Sequence, residues 1–352
     1  MIKHALELYD MYEDEFTIEN YGGGLINSTW LITCKQQQYI FQKINKAIFA
    51  DPQLIDDNIH LIHDYLIKHK SGYKFIMPVH SLTGKTMISY ANEYYRLFKY
   101  IPSKTYSVVI DREVAFEAAK QFGKFTSSLS GLNTDKLYET IPHFHDIKLR
   151  YLQFSQALKY GNAERRDQSE KIINSLQQYN NIVDMYESIL KNPSFKKRVT
   201  HHDTKISNVL FDDDNKGIAV IDLDTVMPGC FISDVGDMLR TYLPPVSEEE
   251  TDLNLIEVRD EFFKAVAEGY LSEMKRELSS EEIHAFVYAG KFMIYMQALR
   301  FITDYLNNDI YYGAKYPLQN FNRAQNQLRL LECLIEKEDY YNSIVQQFMI
   351  QD

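Results

Sequence analysis

One stretch near the middle of the chain, residues 201–222, constrains the fold more than any other. It reads His-His-Asp-Thr-Lys-Ile-Ser-Asn, then an apolar triplet, a polar turn and a second apolar run that ends at an aspartate. The two apolar runs predict the strands of an antiparallel hairpin. Because residues just before the first strand and just after the second emerge at the same end, Asn208 and Asp222 are expected side by side, with Asp203 one short loop earlier.

These three polar side chains have a chemical use in common. An aspartate near an acceptor hydroxyl can orient it and take its proton, while Asn and Asp oxygens hold Mg²⁺ on nucleotide phosphates. Asp and Asn are also frequent in turns for structural reasons alone, because their side chains satisfy backbone groups there. The combination of this spacing with a following strand, turn, strand and aspartate favours a phosphotransferase.

The first hundred residues have the pattern of a small β-rich unit. A glycine cluster, Gly22-Gly23-Gly24, separates the first two β-prone runs, and apolar residues recur at helical spacing from Gln53 to His69. Thr83-Gly84 is predicted as a hairpin turn. The predicted strands are Phe16–Tyr21, Thr29–Cys34, Gln38–Ile44, Phe75–Val79, Lys85–Ile88 and Tyr94–Ile101.

Beyond Pro102 the pattern becomes mainly helical, apart from the central hairpin. The predicted helices are Arg112–Leu129, His145–Tyr160, Asp167–Leu190, Glu257–Ser272, Glu281–Asn307 and Asn322–Phe348. The sequence therefore predicts an α+β protein with two lobes: a β-rich N-terminal lobe, residues 1–101, and a larger, mainly helical lobe, residues 102–352.

Charge and cysteine content argue against nucleic-acid binding and against a disulfide framework. The formal net charge is −11 and no long Lys/Arg run is present, which disfavours binding to nucleic acid. The 3 cysteines are widely spaced, which indicates a reducing compartment rather than a disulfide framework. The sequence has neither an apolar window of about 18 residues nor a signal-peptide core at its start, so we expect a cytoplasmic protein without a membrane partner. The oligomeric state is left open.

The block from His201 to Asp222 resembles the catalytic block of the aminoglycoside phosphotransferase-like kinases. These kinases share the protein-kinase-like two-lobed fold and include choline, homoserine, methylthioribose and sugar kinases. The resemblance is closer still to the N-acetylhexosamine 1-kinases and covers nearly the whole chain. Its further segments are Tyr21–Gly24 with Ile26-Asn27, Thr140–Asp146, Ile221–Thr225, Met227–Gly229, Asp234 with Gly236-Asp237, Arg300-Phe301, Asp304–Leu306 and Lys315–Pro317.

The resemblance implies an ATP-dependent kinase that phosphorylates a sugar, at the anomeric hydroxyl of an N-acetylhexosamine. By position, Asp203 is implied as the catalytic base, and Asn208 and Asp222 as the Mg²⁺ ligands. His201 and Asp234 are implied to brace the catalytic loop.

Four further residues are assigned to the acceptor site. Arg300 lies in an apolar helical stretch, where an arginine needs a partner. An internal salt bridge is one explanation, and the resemblance favours contact with the substrate. The same choice exists for Asp224, which is either a turn residue or an acidic group facing the acceptor. Tyr311 or Tyr312 offers an aromatic face on which a sugar ring can stack.

Two departures from the family concern the nucleotide and the acceptor. The glycines Gly22, Gly23 and Gly24 are implied to cover the ATP phosphates, and such kinases usually add a basic residue on the third strand. Here Gln42 stands at that position and Lys43 one place later, so the two point to opposite faces of a regular strand. Either residue is a candidate phosphate ligand. Leu25 stands where some N-acetylhexosamine kinases carry a histidine.

Three other functions remain open on the sequence. One is a kinase of a different small hydroxyl acceptor, of the choline, homoserine, methylthioribose or aminoglycoside type. A second is a metallohydrolase, since several histidines and aspartates are candidate ligands of a transition metal. These are His143, His145, Asp146, His201, His202 and Asp203. A third is a kinase-like binding module without turnover. No His-Glu-x-x-His or paired-cysteine pattern supports the second, and an intact catalytic block argues against the third.

Overall fold

The computed structural model describes residues 2–12, 15–22 and 26–350. The described residues form a small lobe built on an antiparallel sheet and a larger lobe built mainly of helices, so the predicted α+β architecture is confirmed. Among them, no helix is both long enough and apolar enough to cross a bilayer.

The small lobe is a five-stranded sheet with one covered face. Its strands are β1 (Phe16–Asn20), β2 (Ser28–Cys34), β3 (Gln37–Lys43), β4 (Met87–Tyr90) and β5 (Glu93–Lys99). The spatial order is β1-β2-β3-β5-β4, and every pairing is antiparallel. The short helix α1 (Ile2–Glu7) packs on one face of the sheet, where Leu6, Phe41 and Leu97 share a buried apolar cluster.

The opposite face of the sheet carries a different set of side chains. Side chains alternate between faces along a strand, so Gln42 and Arg96, which are cross-strand partners, share the face that Phe41 does not use. Ile40 and Phe98 are paired on that same face and stay partly exposed. This face is therefore apolar near Ile40 and polar near Gln42.

Two of the predicted features of the small lobe are corrected. The segment predicted as a strand at Phe75–Val79 has no strand pairing, and one hydrogen bond from the Val79 amide to the Leu97 carbonyl (2.6 Å) ties it to the sheet. Thr83-Gly84 is a tight turn, but the β4–β5 hairpin is closed at Ala91 and Asn92, with φ of +49° and +63°. Two left-handed central residues suit the twist of a two-residue hairpin. Here both are residues other than glycine, so the glycine at position 84 did not mark the hairpin turn.

Helix α2 (Gln53–Lys68) belongs to the N-terminal part of the chain but is fixed to the large lobe. Its buried Asn58 donates to the Tyr138 and Val226 carbonyls (2.9 and 3.0 Å) and accepts from the Tyr138 amide (2.8 Å). The apolar face of α2, including Ile59, joins the main core of the large lobe rather than the core of the sheet. Helix α2 therefore packs as part of the large lobe.

The large lobe surrounds two short antiparallel strand pairs with helices. The pairs are β6 (Arg198–Thr200) with β9 (Met227–Gly229) and β7 (Val209–Phe211) with β8 (Gly217–Val220). The helices are α3 (Arg112–Ser128), α4 (Ile147–Tyr160), α5 (Ala163–Gln168), α6 (Glu170–Gln178), α7 (Asn181–Lys191), α8 (Ile232–Tyr242), α9 (Asp260–Met274), α10 (Ser280–His284), α11 (Phe286–Leu306), α12 (Gln319–Glu336) and α13 (Glu338–Ile350).

Three of the predicted helices are each divided in the structure. The breaks fall at Ser169 and Tyr179-Asn180, at Ala285 and at Lys337, between otherwise continuous helical patterns. Each break is only one or two residues long, so it scarcely disturbs the helical spacing of the apolar residues. The spacing therefore located the helical regions but not the changes of direction within them.

Helix α8 approaches α11 so closely that Gly236, near its middle, must be a glycine. A Cβ on Gly236 would lie 2.4 Å from the Ala289 carbonyl oxygen and 2.9 Å from the Met293 side chain. Gly236 stands between Asp234 and Asp237, whose carboxylates both reach back toward the loop that follows β6. The close contact of the two helices thus fixes the position of these carboxylates.

We predict that Gly236→Ala lowers the free energy of unfolding by about 1–3 kcal/mol, because the added methyl group meets backbone atoms that cannot move aside. Urea denaturation followed by circular dichroism measures the change. The exposed Gln177→Ala on α6 is the control and is expected to stay within about 0.5 kcal/mol of the parent. An unchanged stability of Gly236→Ala would show that α8 and α11 are not packed this closely.

Candidate functional site

The β7–β8 hairpin brings the predicted polar residues together as its pattern indicated. The Ile221 amide donates to the Asn208 carbonyl (2.9 Å), which places the residues before β7 and after β8 side by side. The side-chain nitrogen of Asn208 donates to the Asp203 carbonyl (2.9 Å), while its side-chain oxygen accepts no hydrogen bond from a described residue. The prediction that Asn208 and Asp222 emerge together is confirmed, and the Asn208 oxygen remains available to a ligand.

The loop that carries Asp203 is held by carboxylates from α8. Asp234 accepts from the backbone amides of His201 (3.0 Å) and His202 (2.7 Å), and Asp237 accepts from the amide of Thr204 (2.8 Å). His202 has a left-handed backbone with φ of +66°, which is unfavourable for a residue with a side chain. The two α8 carboxylates thus secure a strained loop through its backbone without engaging the Asp203 side chain.

His201 acts on the loop from inside the core. Its side chain is fully buried, its Nε2 lies 2.9 Å from the Ile221 carbonyl, and its Nδ1 accepts from the Asp203 amide (3.3 Å). These contacts assign the proton to Nε2, and burial lowers the pKa of the ring. In this structure His201 is a neutral group that positions Asp203 and the strand end before Asp222.

Acidic groups converge at the end of the hairpin. Asp222 has a left-handed backbone (φ +61°), and neither of its carboxylate oxygens accepts a hydrogen bond from a described residue. Burial, together with the charges of Asp224 and Asp203, raises the pKa of Asp222 to about 7. Hard carboxylate and amide oxygens that repel one another in this way form a site suited to a divalent cation.

Lys205 is a residue of the site that the sequence analysis did not single out. Its ammonium group lies 2.8 Å from Asp203 Oδ2, and both side chains are partly buried. Although burial opposes it, the charges of Asp203 and Asp222 raise the pKa of Lys205. Its place two residues after Asp203 was the available signal, but a lysine in a polar loop resembles any solvated side chain.

The two candidate phosphate ligands on β3 lie on different faces of the sheet. Gln42 lies on the face that turns toward the large lobe, where it contacts Thr29 (3.3 Å) and Arg96 (2.9 Å). Lys43 lies on the other face, with its ammonium group 3.7 Å from the Glu93 carboxylate. The structure therefore does not place Lys43 in the cleft, because the register of β3 with β5 is regular along its length.

Only part of the glycine cluster lies in the described chain. Gly22 has φ of +71°, a conformation that favours glycine, while Gly23, Gly24 and Leu25 lie outside the described residues. Asn27, just after the cluster, donates to Asp224 Oδ2 (2.7 Å) and accepts from the Asn45 amide (3.0 Å). The end of the glycine segment is thereby attached to the large lobe.

Asp224 is bound by the small lobe instead of being open to an acceptor. Its Oδ1 lies 2.6 Å from Arg96 Nη1, its Oδ2 accepts from Asn27, and both charged side chains of the pair are almost fully buried. Its backbone carbonyl accepts from the Thr140 hydroxyl (2.6 Å). Arg96 was missed by the sequence analysis, since one arginine in a β-prone run gives no sign of a partner 128 residues later.

The tyrosines assigned to the acceptor are presented by a loop that Asp304 holds. Its carboxylate accepts from the amides of Tyr311 (2.7 Å) and Tyr312 (2.9 Å). The Arg300 guanidinium lies 5.4 Å from the centre of the Tyr312 ring and donates to the Tyr311 hydroxyl (3.4 Å). Tyr312 is mostly buried and Tyr311 is exposed, so Tyr311 offers the freer aromatic face.

A second arginine, Arg150, lies near Arg300 and was also missed. Burial, followed by the charge of Arg300, lowers the pKa of Arg150. Within the described residues neither arginine forms an ion pair with a carboxylate, and the Nε of Arg150 and the Nδ1 of His145 are buried without a hydrogen-bond partner. The His145 ring lies 5.3 Å from the His202 ring, so Arg150 and Arg300, called the arginine site below, lie near the loop that carries Asp203.

The described residues contain no group of three or more His, Cys, Asp or Glu side chains arranged to hold a metal ion. The His143 ring pairs with Asp146 (3.1 Å), and the His202 Nδ1 faces the Thr200 carbonyl (3.0 Å).

Comparison with known proteins identifies the family. Residues 17–277 match the phosphotransferase enzyme family. An aminoglycoside phosphotransferase from Alicyclobacillus acidocaldarius is similar in structure, with 13% identity, a TM-score of 0.66, and coverage of 100% of this chain and 97% of that chain. Spectinomycin phosphotransferase in complex with ADP and spectinomycin is also similar, with 13% identity, a TM-score of 0.60, and coverage of 96% of this chain and 97% of that chain.

A choline kinase from Cryptosporidium parvum Iowa II is similar as well, with 14% identity, a TM-score of 0.59 and coverage of 99% of each chain. At these identities the structural neighbours show the fold, which is that of the protein-kinase-like phosphotransferases. The match over residues 17–277 spans most of the chain, so the protein belongs to the phosphotransferase enzyme family and is an enzyme that phosphorylates a hydroxyl acceptor.

We predict that Asp234→Asn destabilises the protein by about 1–3 kcal/mol, because an amide has one acceptor oxygen for two buried backbone donors. Chemical denaturation gives the change in unfolding free energy, with the exposed Asp184→Asn as a control of equal charge change. Equal stabilities of the two variants would mean that the loop carrying Asp203 does not depend on Asp234.

Proposed function

We propose that this member of the phosphotransferase enzyme family transfers the γ-phosphoryl group of ATP to a sugar, at the anomeric hydroxyl of an N-acetylhexosamine, and releases the sugar 1-phosphate. ADP in a structural neighbour supports ATP as the phosphoryl donor. The apolar strip of the sheet near Ile40 and Phe98 offers a surface for the adenine, and the polar end near Gln42 faces the phosphates.

In this proposal the residues of the catalytic loop and the hairpin divide the chemistry between them. Asp203 orients the acceptor hydroxyl and takes its proton as the phosphoryl group is transferred. The adjacent Lys205 offsets negative charge beside that carboxylate. The Asn208 side-chain oxygen and the Asp222 carboxylate would hold Mg²⁺, which neutralises phosphate charge when bound. The protein itself contributes mainly positioning, which the buried supports of the loop provide.

The arginine site, Arg150 with Arg300, carries the choice of acceptor. Choline and aminoglycosides are cations, and such ligands need carboxylates or aromatic faces free of other cations. Here burial and the charge of nearby Arg300 lower the pKa of Arg150, and neither arginine forms an ion pair with a carboxylate among the described residues. A cationic group about 6 Å from one guanidinium would be disfavoured by roughly 3 kcal/mol at an effective dielectric constant near 20.

A neutral sugar suits the arginine site. Its hydroxyl and acetamide oxygens accept hydrogen bonds from guanidinium groups, and its ring stacks on an aromatic side chain. Arg300 has donors directed at side-chain oxygens of Gln297 and Tyr311, both of which are replaceable by substrate oxygens. This arrangement supports a sugar acceptor over the amino alcohols and aminoglycosides that some structural neighbours are named for.

A substrate screen tests this proposal. Purified protein with Mg²⁺ and ATP is incubated with N-acetylhexosamines, other sugars, choline, ethanolamine and an aminoglycoside, and the release of ADP is followed. The proposal expects turnover with N-acetylhexosamines and a ³¹P–¹H coupling to the anomeric proton in the product. Turnover confined to the cationic acceptors would overturn it.

We predict that Asp203→Asn lowers kcat by about 10²–10⁴ while the protein still binds Mg²⁺ with ATP, because the variant lacks only the group that takes the proton. Asp222→Ala is the contrasting variant, since loss of a metal ligand should weaken binding of the metal nucleotide as well. Calorimetry and steady-state kinetics separate the two effects. A near-parental kcat for Asp203→Asn would remove Asp203 from the role of base.

We predict that Arg300→Met raises the KM for the sugar by about ten- to a hundredfold and spares the KM for ATP, because one or more charge-assisted hydrogen bonds to the acceptor are lost. The exposed Arg112→Met removes an equal charge outside the arginine site and serves as the control. Equal changes in both KM values would indicate that Arg300 supports the fold instead of contacting the sugar.

A further inference from the structure

The cleft face of β3 lacks the basic side chain that a kinase of this architecture uses on the nucleotide phosphates. The uncharged Gln42 occupies the cleft face, and Lys43 is directed to the opposite face beside Glu93. A phosphate subsite without a cation would leave the negative charge of a nucleotide next to the acidic groups around Asp222. A cation from another strand is therefore needed at this place.

Arg96 on β5 is directly across from Gln42 in the antiparallel register. The two side chains share one face of the sheet, and neighbouring strands lie only about 4.8 Å apart. Arg96 Nε donates to Gln42 Oε1 (2.9 Å), so the guanidinium is held beside the residue that stands in place of the basic one.

The environment of Arg96 places its charge between the glycine segment and the hairpin. Its Nη1 lies 2.6 Å from Asp224 Oδ1, and the other oxygen of that carboxylate is bound by Asn27, which follows the glycines. Asp224 is two residues beyond Asp222, the candidate metal ligand. The remaining nitrogen, Nη2, donates no hydrogen bond to a described residue, which leaves one donor group of the guanidinium available.

We propose that Arg96 is the cation that contacts the nucleotide phosphates and so replaces the basic residue missing from β3. Gln42 orients the guanidinium through Nε, and Asp224 holds it through Nη1 while Nη2 reaches the phosphate. The proposal rests on ATP as co-substrate and is independent of the identity of the acceptor. It also gives Gln42 a positioning role in place of direct contact with the phosphates.

Binding of ADP and of adenosine, each measured by calorimetry with Mg²⁺ and without acceptor, tests this assignment. Arg96→Met should weaken ADP binding by about ten- to a hundredfold, the loss of one charge-assisted contact, and leave adenosine within about twofold of the parent protein. Lys43→Met, which removes a cation from the other face of the same sheet, should bind both ligands as the parent does. Equal losses for ADP and adenosine in Arg96→Met, or no loss for either, would overturn the proposal.

A second variant covers the case in which Arg96→Met does not fold because Asp224 loses its partner. The exchange Gln42→Arg with Arg96→Gln keeps a cation and an amide on the same two cross-strand positions. Its ratio of ADP to adenosine affinity should lie within about fivefold of the parent ratio. A folded exchange variant whose ratio has fallen by more than about tenfold would contradict the proposal. Because no acceptor is present, neither result depends on the sugar assignment.

Discussion

The buried ion pair between Arg96 and Asp224 is the contact on which the geometry of the cleft depends. One partner comes from the sheet of the small lobe and the other from the segment just beyond the β7–β8 hairpin, and both side chains are almost fully buried. Removing one partner of such a pair typically costs about 3–5 kcal/mol, because an uncompensated charge stays buried. The pair therefore fixes the distance between the sheet of the small lobe and the loop that carries Asp222.

The catalytic loop is stabilised from the opposite side. Backbone amides of residues 201, 202 and 204 donate to the α8 carboxylates, and His201 accepts the amide of Asp203. His202 and Asp222 both have left-handed backbones, which cost of order 1–3 kcal/mol each and persist only where surrounding contacts impose them. The surroundings do impose them here, and this strain lies where the chemistry is proposed. Close packing of α8 on α11 at Gly236 makes the support rigid.

The local parts of this arrangement could be predicted from sequence. The hairpin and the adjacency of Asn208 and Asp222 follow from the order of apolar and polar residues, because antiparallel pairing has one simple geometry. Arg96 and Arg150 were missed since their importance arises only from neighbours distant in sequence. The choice between Gln42 and Lys43 needed the register of β3 against β5, and the divided helices needed tertiary contacts that the apolar spacing does not contain.

A crystal structure of the protein with Mg²⁺ and ADP tests the account most directly, because it shows which groups touch the metal and the phosphates. The account predicts a metal ion bound by the Asn208 side-chain oxygen and the Asp222 carboxylate. It also predicts Arg96 Nη2 within hydrogen-bond distance of a phosphate oxygen, with Lys43 on the far face of the sheet. Phosphates bound by Lys43, or a metal held away from Asp222, would contradict it.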